Sequence, residues 1–245
     1  MRRRRLVVFA TFVLSAQPAF AQSAWTGRMR VSFNWGAQVD TNRLAESIKL
    51  TKYVEPAPVT AELPRKSVPF FDGGLAVRLV GNLGVGLSIS YLTDTDDGDV
   101  TAQIPHPFFF SQPRSIAGKA SGVTHTELAT HTNLVYVVVS RRIDFALSGG
   151  ASFFRVEQDF VTDVTYDEPY PYDTATFADA TLTRTKAKKV GYNAGADVTW
   201  KFSPKWGVGG VLRYARARVP FTVNDLEVTA DVGGLQAGGG LRLMF

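Results

Sequence analysis

The last seventeen residues, Thr229 to Phe245, read TADVGGLQAGGGLRLMF and constrain the fold more than any other stretch. Counting back from the C-terminus, Phe245, Leu243 and Leu241 share one parity, whereas Arg242 and Gln236 fall on the other. Alternation with a period of two predicts a β-strand with one apolar face. An apolar face of this length, in a chain that starts with an export signal, indicates a strand that contacts lipid and closes a barrel.

The export signal occupies residues 1–21. Four arginines at positions 2–5 precede an apolar run from Leu6 to Leu14, and Ala19-Phe20-Ala21 provides a small-residue cleavage site. This order is typical of a cleaved signal peptide, and the run is shorter than the roughly 20 residues that a membrane-spanning helix needs. We therefore expect residues 22–245 to form the mature protein, as a single domain.

The charge of the chain belongs mostly to this signal. The whole sequence has a formal net charge of +5, with 27 basic and 22 acidic residues; without the four signal arginines, 23 basic residues leave a net charge of +1. A nearly neutral mature chain gives little support to a nucleic-acid partner, and we expect none. There is no cysteine, so neither disulfide bonds nor thiolate chemistry is available.

Seven more alternating segments precede the C-terminal strand, at about residues 25–38, 70–81, 84–91, 124–140, 145–164, 188–202 and 207–219. The first alternates over ten residues, which suits a tilted membrane strand of about 9–11 residues better than a soluble strand of about 5–6. Long loops (39–66, 93–123, 165–186 and 220–227) alternate with short turns. Pro56, Pro58 and Pro64 argue against a central strand within the first loop.

This pattern predicts an all-β fold: an eight-stranded, antiparallel, up-and-down transmembrane β-barrel with short periplasmic turns and long extracellular loops. Aromatic residues should form a girdle at each membrane interface. The alternative is a secreted soluble sandwich or lipocalin-like barrel, whose apolar face would point inward. The predicted girdle comprises Trp35, Tyr91, Tyr192 and Tyr214 on the outer side, and Trp206 and Phe245 on the periplasmic side.

The export signal, the eight strands and the closing Leu241-Arg242-Leu243-Met244-Phe245 resemble the small outer-membrane β-barrel superfamily that includes the OmpA transmembrane domain, OmpX/Ail and OmpW. The terminal Phe245 is similar to the aromatic C-terminus that the insertion machinery of this superfamily reads. The resemblance implies a location in the bacterial outer membrane. It also implies contact with outer-membrane lipid and lipopolysaccharide, and with the barrel-assembly machinery through the C-terminal strand. Because the chain ends at the barrel, we expect no peptidoglycan-binding domain.

The inward parity of the strands is polar and of mixed charge. An eight-stranded barrel is just wide enough for its side chains to fill, and an unpaired buried charge costs several kcal/mol. We therefore predict a lumen plugged by a polar network; the alternative is a narrow conduit that favours anions. The predicted network comprises Arg28, Arg30, Asp72, Arg78, His125, Glu127, His131, Asp197, Lys201, Arg213 and Arg242.

Two groups of residues suggest chemistry that we do not expect. His125, Glu127 and His131 share a face and could bind a metal or act as acid and base, but that face points inward and no G-x-S-x-G motif is present. The acidic stretch from Asp94 to Asp99 resembles a calcium loop, but Gly98 is one place early and Pro105 occupies the position of the closing Glu. We predict no enzyme, no metal site and no cofactor, and interpret the acidic stretch as a solvated loop tip.

Aromatic residues are concentrated in two of the predicted loops. Exposed aromatic clusters either pack on the base of their own loop or recognise a partner, since tyrosine combines contact area with a polar tip. We predict a structural or surface-interaction role exerted through these loops; the sequence does not identify the surface ligand. The alternative is a narrow channel or transporter for small or hydrophobic solutes, similar to OmpW. The candidate recognition residues are Phe108, Phe109, Phe110, Tyr166, Tyr170 and Tyr172.

Overall fold

The computed structural model describes residues 25, 27–39, 44–63, 67–223 and 226–245. The predicted signal peptide and Pro64 lie outside these ranges. Every regular element is a β-strand: β1 (Met29–Val39), β2 (Leu44–Lys52), β3 (Glu55–Leu63), β4 (Val68–Val80), β5 (Leu83–Ile104), β6 (Arg114–Val139), β7 (Ile143–Asp167), β8 (Thr176–Lys201), β9 (Trp206–Val223) and β10 (Leu226–Met244). Within the described residues, no helix is long and apolar enough to span a membrane.

Eight of these strands close into a ring. The order β5-β4-β1-β10-β9-β8-β7-β6 is completed by pairing of β6 with β5, and every pairing is antiparallel. The predicted all-β, eight-stranded barrel is therefore confirmed. Three short turns lie at one end of the ring, where Phe245 N donates to Met29 O at 2.9 Å; we call this the turn end, and the opposite end the hairpin end.

The outer surface of the ring is an apolar band with an aromatic rim at each end. Tyr192 on the outward face of β8 and Phe202, the residue that follows β8, are ten residues or about 33 Å apart, which at a tilt of about 40° gives the roughly 25 Å height of a membrane-spanning band. The predicted girdle residues all point outward and are 40% to 64% exposed: Tyr214, Tyr91, Trp206, Tyr192, Phe245 and Trp35.

The predicted long loops are largely strand, which corrects the sequence analysis. Strands β5 to β8 have 22, 26, 25 and 26 residues, so they continue well beyond the band. At the hairpin end, residues 105–113 connect β5 with β6 and residues 168–175 connect β7 with β8. Asp94 to Asp99 accordingly lie within β5 rather than at a loop tip. Buried and exposed positions continue to alternate through Val100, Ala102 and Ile104, which are buried. Because the residues on the buried face are small, the two faces differ little in hydrophobicity and the alternation is weak in the sequence.

The predicted first loop contains a β-hairpin, which also corrects the sequence analysis. Strands β2 and β3 pair from Leu44↔Leu63 to Lys52↔Glu55, and β3 pairs with β5 only from Val59 to Glu62. Pro56 and Pro58 lie in the part of β3 that has β2 as its one partner strand. Proline is compatible with such an edge position, although it is not compatible with the middle of a sheet.

Beyond the band the ring divides into ribbons. The β8–β9 pairing ends at Tyr192↔Arg216, and the β6–β7 pairing ends at His125↔Gln158. Pairs β5–β6, β7–β8 and β9–β10 continue separately, and the β2–β3 hairpin adds to β5. We call this part the extension. Its interior is apolar rather than polar, with one cluster around Phe154, Phe160 and Phe221 and a second around Val59, Ile104 and Ile116.

The start of the barrel differs from the prediction. Strand β1 begins at Met29 rather than near residue 25, and Trp25 is 2% exposed within the turn end of the lumen. There it packs against Val135 and Val137. Because Trp25 precedes β1, the alternation of that strand does not determine the side on which its side chain lies.

Candidate functional site

The middle of the lumen contains a buried ion pair with a full set of hydrogen bonds. Arg213 Nη1 donates to Asp72 Oδ2 at 2.7 Å and to Gln236 Oε1 at 3.4 Å, and its Nη2 donates to Ser88 Oγ at 3.1 Å. Asn34 Nδ2 donates to the other carboxylate oxygen of Asp72 at 2.8 Å. Strands on opposite sides of the barrel are thus linked across its interior.

The turn end of the lumen contains three more ion pairs, two of which share Asp144. Asp144 accepts from Arg30 Nη2 at 2.6 Å and pairs with Lys201 Nζ at 2.7 Å. Arg242, which is completely buried, donates from Nε to Asp197 Oδ2 at 3.1 Å. Asp144 was missed by the sequence analysis because it was assigned to a turn.

The hairpin end of the lumen holds the two histidines in separate networks. His125 is bonded to Gln158 at 2.5 Å and to Glu127 at 2.8 Å, whereas His131 is bonded to Ser90 at 3.0 Å and to Ser152 at 2.7 Å. His131 is completely buried and both of its ring nitrogens are engaged. The two serines come from neighbouring strands, so no local motif could reveal them. The imidazole of His131 is therefore out of contact with solvent and held by two side-chain hydrogen bonds.

Trp25 closes the turn end of this lumen. Its backbone N–H donates to Asn82 Oδ1 at 3.1 Å, its carbonyl accepts from Arg78 Nη1, and the guanidinium of Arg30 lies 5.8 Å from its ring centre. Above it is a cavity of about 90 Å³ lined by Asp72 and Arg213, among others. That volume holds only a few water molecules. Arg28, predicted in the lumen, precedes β1 and is exposed, so it lies outside the network.

At the far end of the extension, three connections meet around Arg114. Its Nη2 donates to Pro105 O at 2.8 Å and to Glu168 Oε2 at 2.6 Å, while Nη1 donates to Tyr172 O at 2.9 Å and to Thr174 O at 3.4 Å. We call residues 105–113 and 168–175 the tip segments. Arg114 is 8% exposed, so it joins the two tip segments as a buried clamp.

The β2–β3 turn is tied to the same clamp. Tyr53 donates its hydroxyl to Glu168, and this bond raises the pKa of Tyr53, which keeps the phenol protonated as a donor. Ser111 N donates to Glu55 Oε1 at 3.0 Å. Within the first tip segment, His106 Nδ1 accepts from the backbone N–H groups of Phe108 and Phe109 at 3.1 and 3.2 Å. The tip is therefore a hydrogen-bonded structure rather than a set of independent loops.

The tip presents aromatic side chains to solvent. Phe108, Phe109, Phe110 and Tyr170 are 71%, 56%, 75% and 85% exposed. Tyr172 joins the two segments, with its ring 5.5 Å from that of Phe108 and 5.9 Å from that of Tyr170. We call these five residues the aromatic tip.

Tyr166, the sixth candidate of the sequence analysis, is half-buried against the second apolar cluster and lies apart from the aromatic tip. The clamp residues Arg114, Glu168 and Glu55 were missed, since nothing in their local sequence signals contacts between different connections. The roles of the lumen and tip residues stay predictions.

A closed eight-strand ring with an outward apolar band, aromatic rims and an ion-paired interior defines an eight-stranded transmembrane β-barrel. No family model matches the chain, and no curated protein matches it.

Several solved structures are similar in fold to the chain, among them those of bacterial surface and outer-membrane proteins. Neisserial surface protein A is 10% identical with a TM-score of 0.43, covering 89% of this chain and 97% of that one. Ail of Yersinia pestis, in complex with the heparin analogue sucrose octasulfate, is 12% identical with a TM-score of 0.42, covering 88% and 98%. The outer-membrane protease OmpT of Escherichia coli is 8% identical with a TM-score of 0.45, covering 94% and 99%. No conclusion on function follows from similarities this distant.

Proposed function

We propose that the chain is a bacterial outer-membrane protein, exported by a cleaved signal peptide, that interacts with another surface through its aromatic tip. The observation that carries this proposal is the exposure of Phe108, Phe109, Phe110 and Tyr170 on a tip held by Arg114. A contiguous exposed apolar surface on a soluble part of a protein marks an interaction site. A tip fixed in advance by hydrogen bonds also loses less conformational entropy on binding.

The height of the tip supports a partner outside the membrane. From Tyr91 on the rim to Ile104 at the end of β5, the strand covers about 43 Å, or about 33 Å along the membrane normal at a tilt of about 40°. Aromatic side chains at that height lie beyond the lipid headgroups of their own membrane. We infer that the ring contacts outer-membrane lipid and lipopolysaccharide, that β10 engages the barrel-assembly machinery, and that the tip meets a different partner.

The lumen favours this role over a channel and over an enzyme. Its charged groups are paired across the barrel, Trp25 closes the turn end, and the apolar clusters of the extension lie above the other end. His131, the most plausible acid or base, is completely buried. We therefore propose a plugged, non-enzymatic barrel, and the narrow channel becomes the alternative to test.

We expect the refolded mature chain, residues 22–245, to be electrically silent in a planar bilayer, after a heat-dependent gel shift has confirmed folding. The Trp25→Ala variant should also be silent, because Arg213, His131 and the apolar clusters still fill the path above position 25. Steady openings of the wild-type chain would replace the proposed role by a channel. Openings of the variant alone would show that the barrel is plugged only at Trp25 and would likewise support the channel.

The proposed role is tested by replacing Phe108, Phe109, Phe110 and Tyr170 together with serine. Bacteria that display the wild-type chain should adhere to cultured epithelial cells or to polystyrene, and the variant should lose about tenfold or more of that adherence, because buried aromatic anchors dominate interface energies. The matched control carries Thr101→Ser, Ala117→Ser and Ser121→Ala on the exposed flank of β5 and β6. Equal adherence of the variant and this control on both surfaces would refute the proposed role of the tip.

A further inference from the structure

The point at which β8 and β9 separate has an unusual concentration of positive charge. The two strands pair up to Tyr192↔Arg216; beyond this pair β8 pairs only with β7, and β9 only with β10. Lys188 and Lys189 follow on the β8 side, and Arg216 and Arg218 on the β9 side. We call this divergence of β8 and β9, with these four residues, the fork.

The fork lies directly above the aromatic rim. Tyr192 and Tyr214, whose ring centres are 6.5 Å apart, mark the rim at this place. Arg216 is two residues beyond Tyr214 on the same face of β9, and Lys188 is four residues beyond Tyr192 on the same face of β8. Two and four residues correspond to about 7 and 13 Å along a strand. The cations are therefore at the level at which lipid headgroups surround a transmembrane barrel.

Few carboxylates neutralise this charge. Arg155 on β7 lies opposite Lys188, and Lys186 is two residues beyond Lys188 on the same face of β8. Glu157 pairs with Lys186 at 2.9 Å, and Asp231 pairs with Arg216 at 2.7 Å and with Arg218 at 3.4 Å. The hydrogen bond from Arg216 lowers the pKa of Asp231, so this carboxylate stays charged. The six cations are the four of the fork together with Arg155 and Lys186. With the two carboxylates, they leave an excess of four positive charges.

The charge is confined to one side of the barrel among the residues described. Beyond the rim residues Tyr91 and Leu128, the equivalent outward positions on β5 and β6 are all threonine: Thr93, Thr95, Thr124 and Thr126. Lysines can also guard an open strand edge against pairing with another chain. That role would account for the cations on the open edges of β8 and β9, but not for Arg155 on β7, which is paired on both sides at that position.

We propose that the fork binds the phosphate groups of an outer-leaflet glycolipid of the lipopolysaccharide type, whose acyl chains lie against Tyr192 and Tyr214. Clustered Lys and Arg side chains bind phosphate through charge-assisted hydrogen bonds, and the apolar band next to the fork accommodates the chains of a lipid. The proposal rests on the outer-membrane location proposed above. It does not depend on the aromatic tip, so its test is independent of the adherence experiment.

The test is lipid retention by the full mature chain. The chain is reconstituted with phosphatidylcholine and diphosphorylated lipid A and then extracted in mild detergent, and the lipid A that stays bound is quantified by mass spectrometry. In Lys188→Gln/Lys189→Gln/Arg218→Gln the retained lipid A should fall at least about tenfold, because the variant lacks three of the cations that attract the phosphate groups. The control replaces three exposed cations elsewhere with Gln: Lys119, Arg141 and Lys205.

Two further arms identify the ligand chemistry. The wild-type chain should retain dephosphorylated lipid A no better than the triple variant retains diphosphorylated lipid A. Inorganic phosphate should displace little lipid A, because it lacks the acyl chains; complete displacement would overturn the lipid part of the proposal and leave a free-phosphate site. Equal retention of lipid A by the triple variant and the control variant would overturn the proposal altogether.

Discussion

The Arg114→Met variant should release both tip segments while leaving the barrel folded. The substitution removes four hydrogen bonds, to Pro105, Glu168, Tyr172 and Thr174, and leaves the Glu168 carboxylate without its cation. Removal of one partner of a buried ion pair costs about 3–5 kcal/mol. Because local opening sets the exchange rate of each amide, we expect hydrogen exchange in residues 105–113 and 168–175 to accelerate more than about 100-fold.

The matched control is Arg184→Met, which removes a different Arg–carboxylate pair of the extension. Arg184 Nε lies 2.8 Å from Asp159 Oδ1, but the arginine side chain is 52% exposed. Ion pairs in contact with solvent contribute little to stability, so exchange in the tip segments should stay at the wild-type rate. If the two variants exchange alike in the tip segments, Arg114 is not the clamp.

The membrane-spanning part of this fold could be predicted from the sequence because its physics is local. One face of each strand contacts lipid and the other faces the lumen, so strongly apolar and polar residues alternate along it. In β8, for example, Tyr192, Ala194 and Val198 lie on the lipid face, and Asn193 and Asp197 lie on the lumen face. The closed ring, the turns and the outward girdle follow from that alternation.

The extension could not be predicted in the same way. It has water outside and a small apolar core inside, so its two faces differ less in hydrophobicity than the faces of the membrane strands. In β5, Thr101 alternates with buried Val100 and Ala102, and in β3 two prolines mask the strand altogether.

The candidate sites, like the fold, could be predicted from the sequence only in part. Parity placed Asp72 and Arg213 in the lumen, and composition singled out the aromatic residues of the tip. The clamp and the fork depend instead on how distant parts of the chain are arranged. Arg114 meets Glu168, and the pairing of β8 with β9 ends at Tyr192↔Arg216; no local pattern encodes either.

The Asp72→Ala variant should be among the most destabilised single variants of the barrel. Asp72 accepts from Arg213 and from Asn34, and its side chain is 1% exposed. Its removal leaves the guanidinium of Arg213 buried without a counter-charge, at a cost of about 3–5 kcal/mol. We expect the urea midpoint of the barrel, refolded in lipid vesicles and followed by tryptophan fluorescence, to fall accordingly.

Removal of both charges should recover most of the stability that the single substitution loses. In Asp72→Asn/Arg213→Gln the two side chains stay polar and can still hydrogen-bond to Asn34, Ser88 and Gln236, but no unpaired charge is left in the lumen. A buried pair often contributes little net stability once both partners are neutral, so the double variant should unfold closer to the wild type than either single variant, Asp72→Asn or Arg213→Gln. The ion pair would then set the register of facing strands rather than the stability of the ring. A double variant as unstable as the sum of its single variants would show that the two residues act independently and that the lumen is not one connected network.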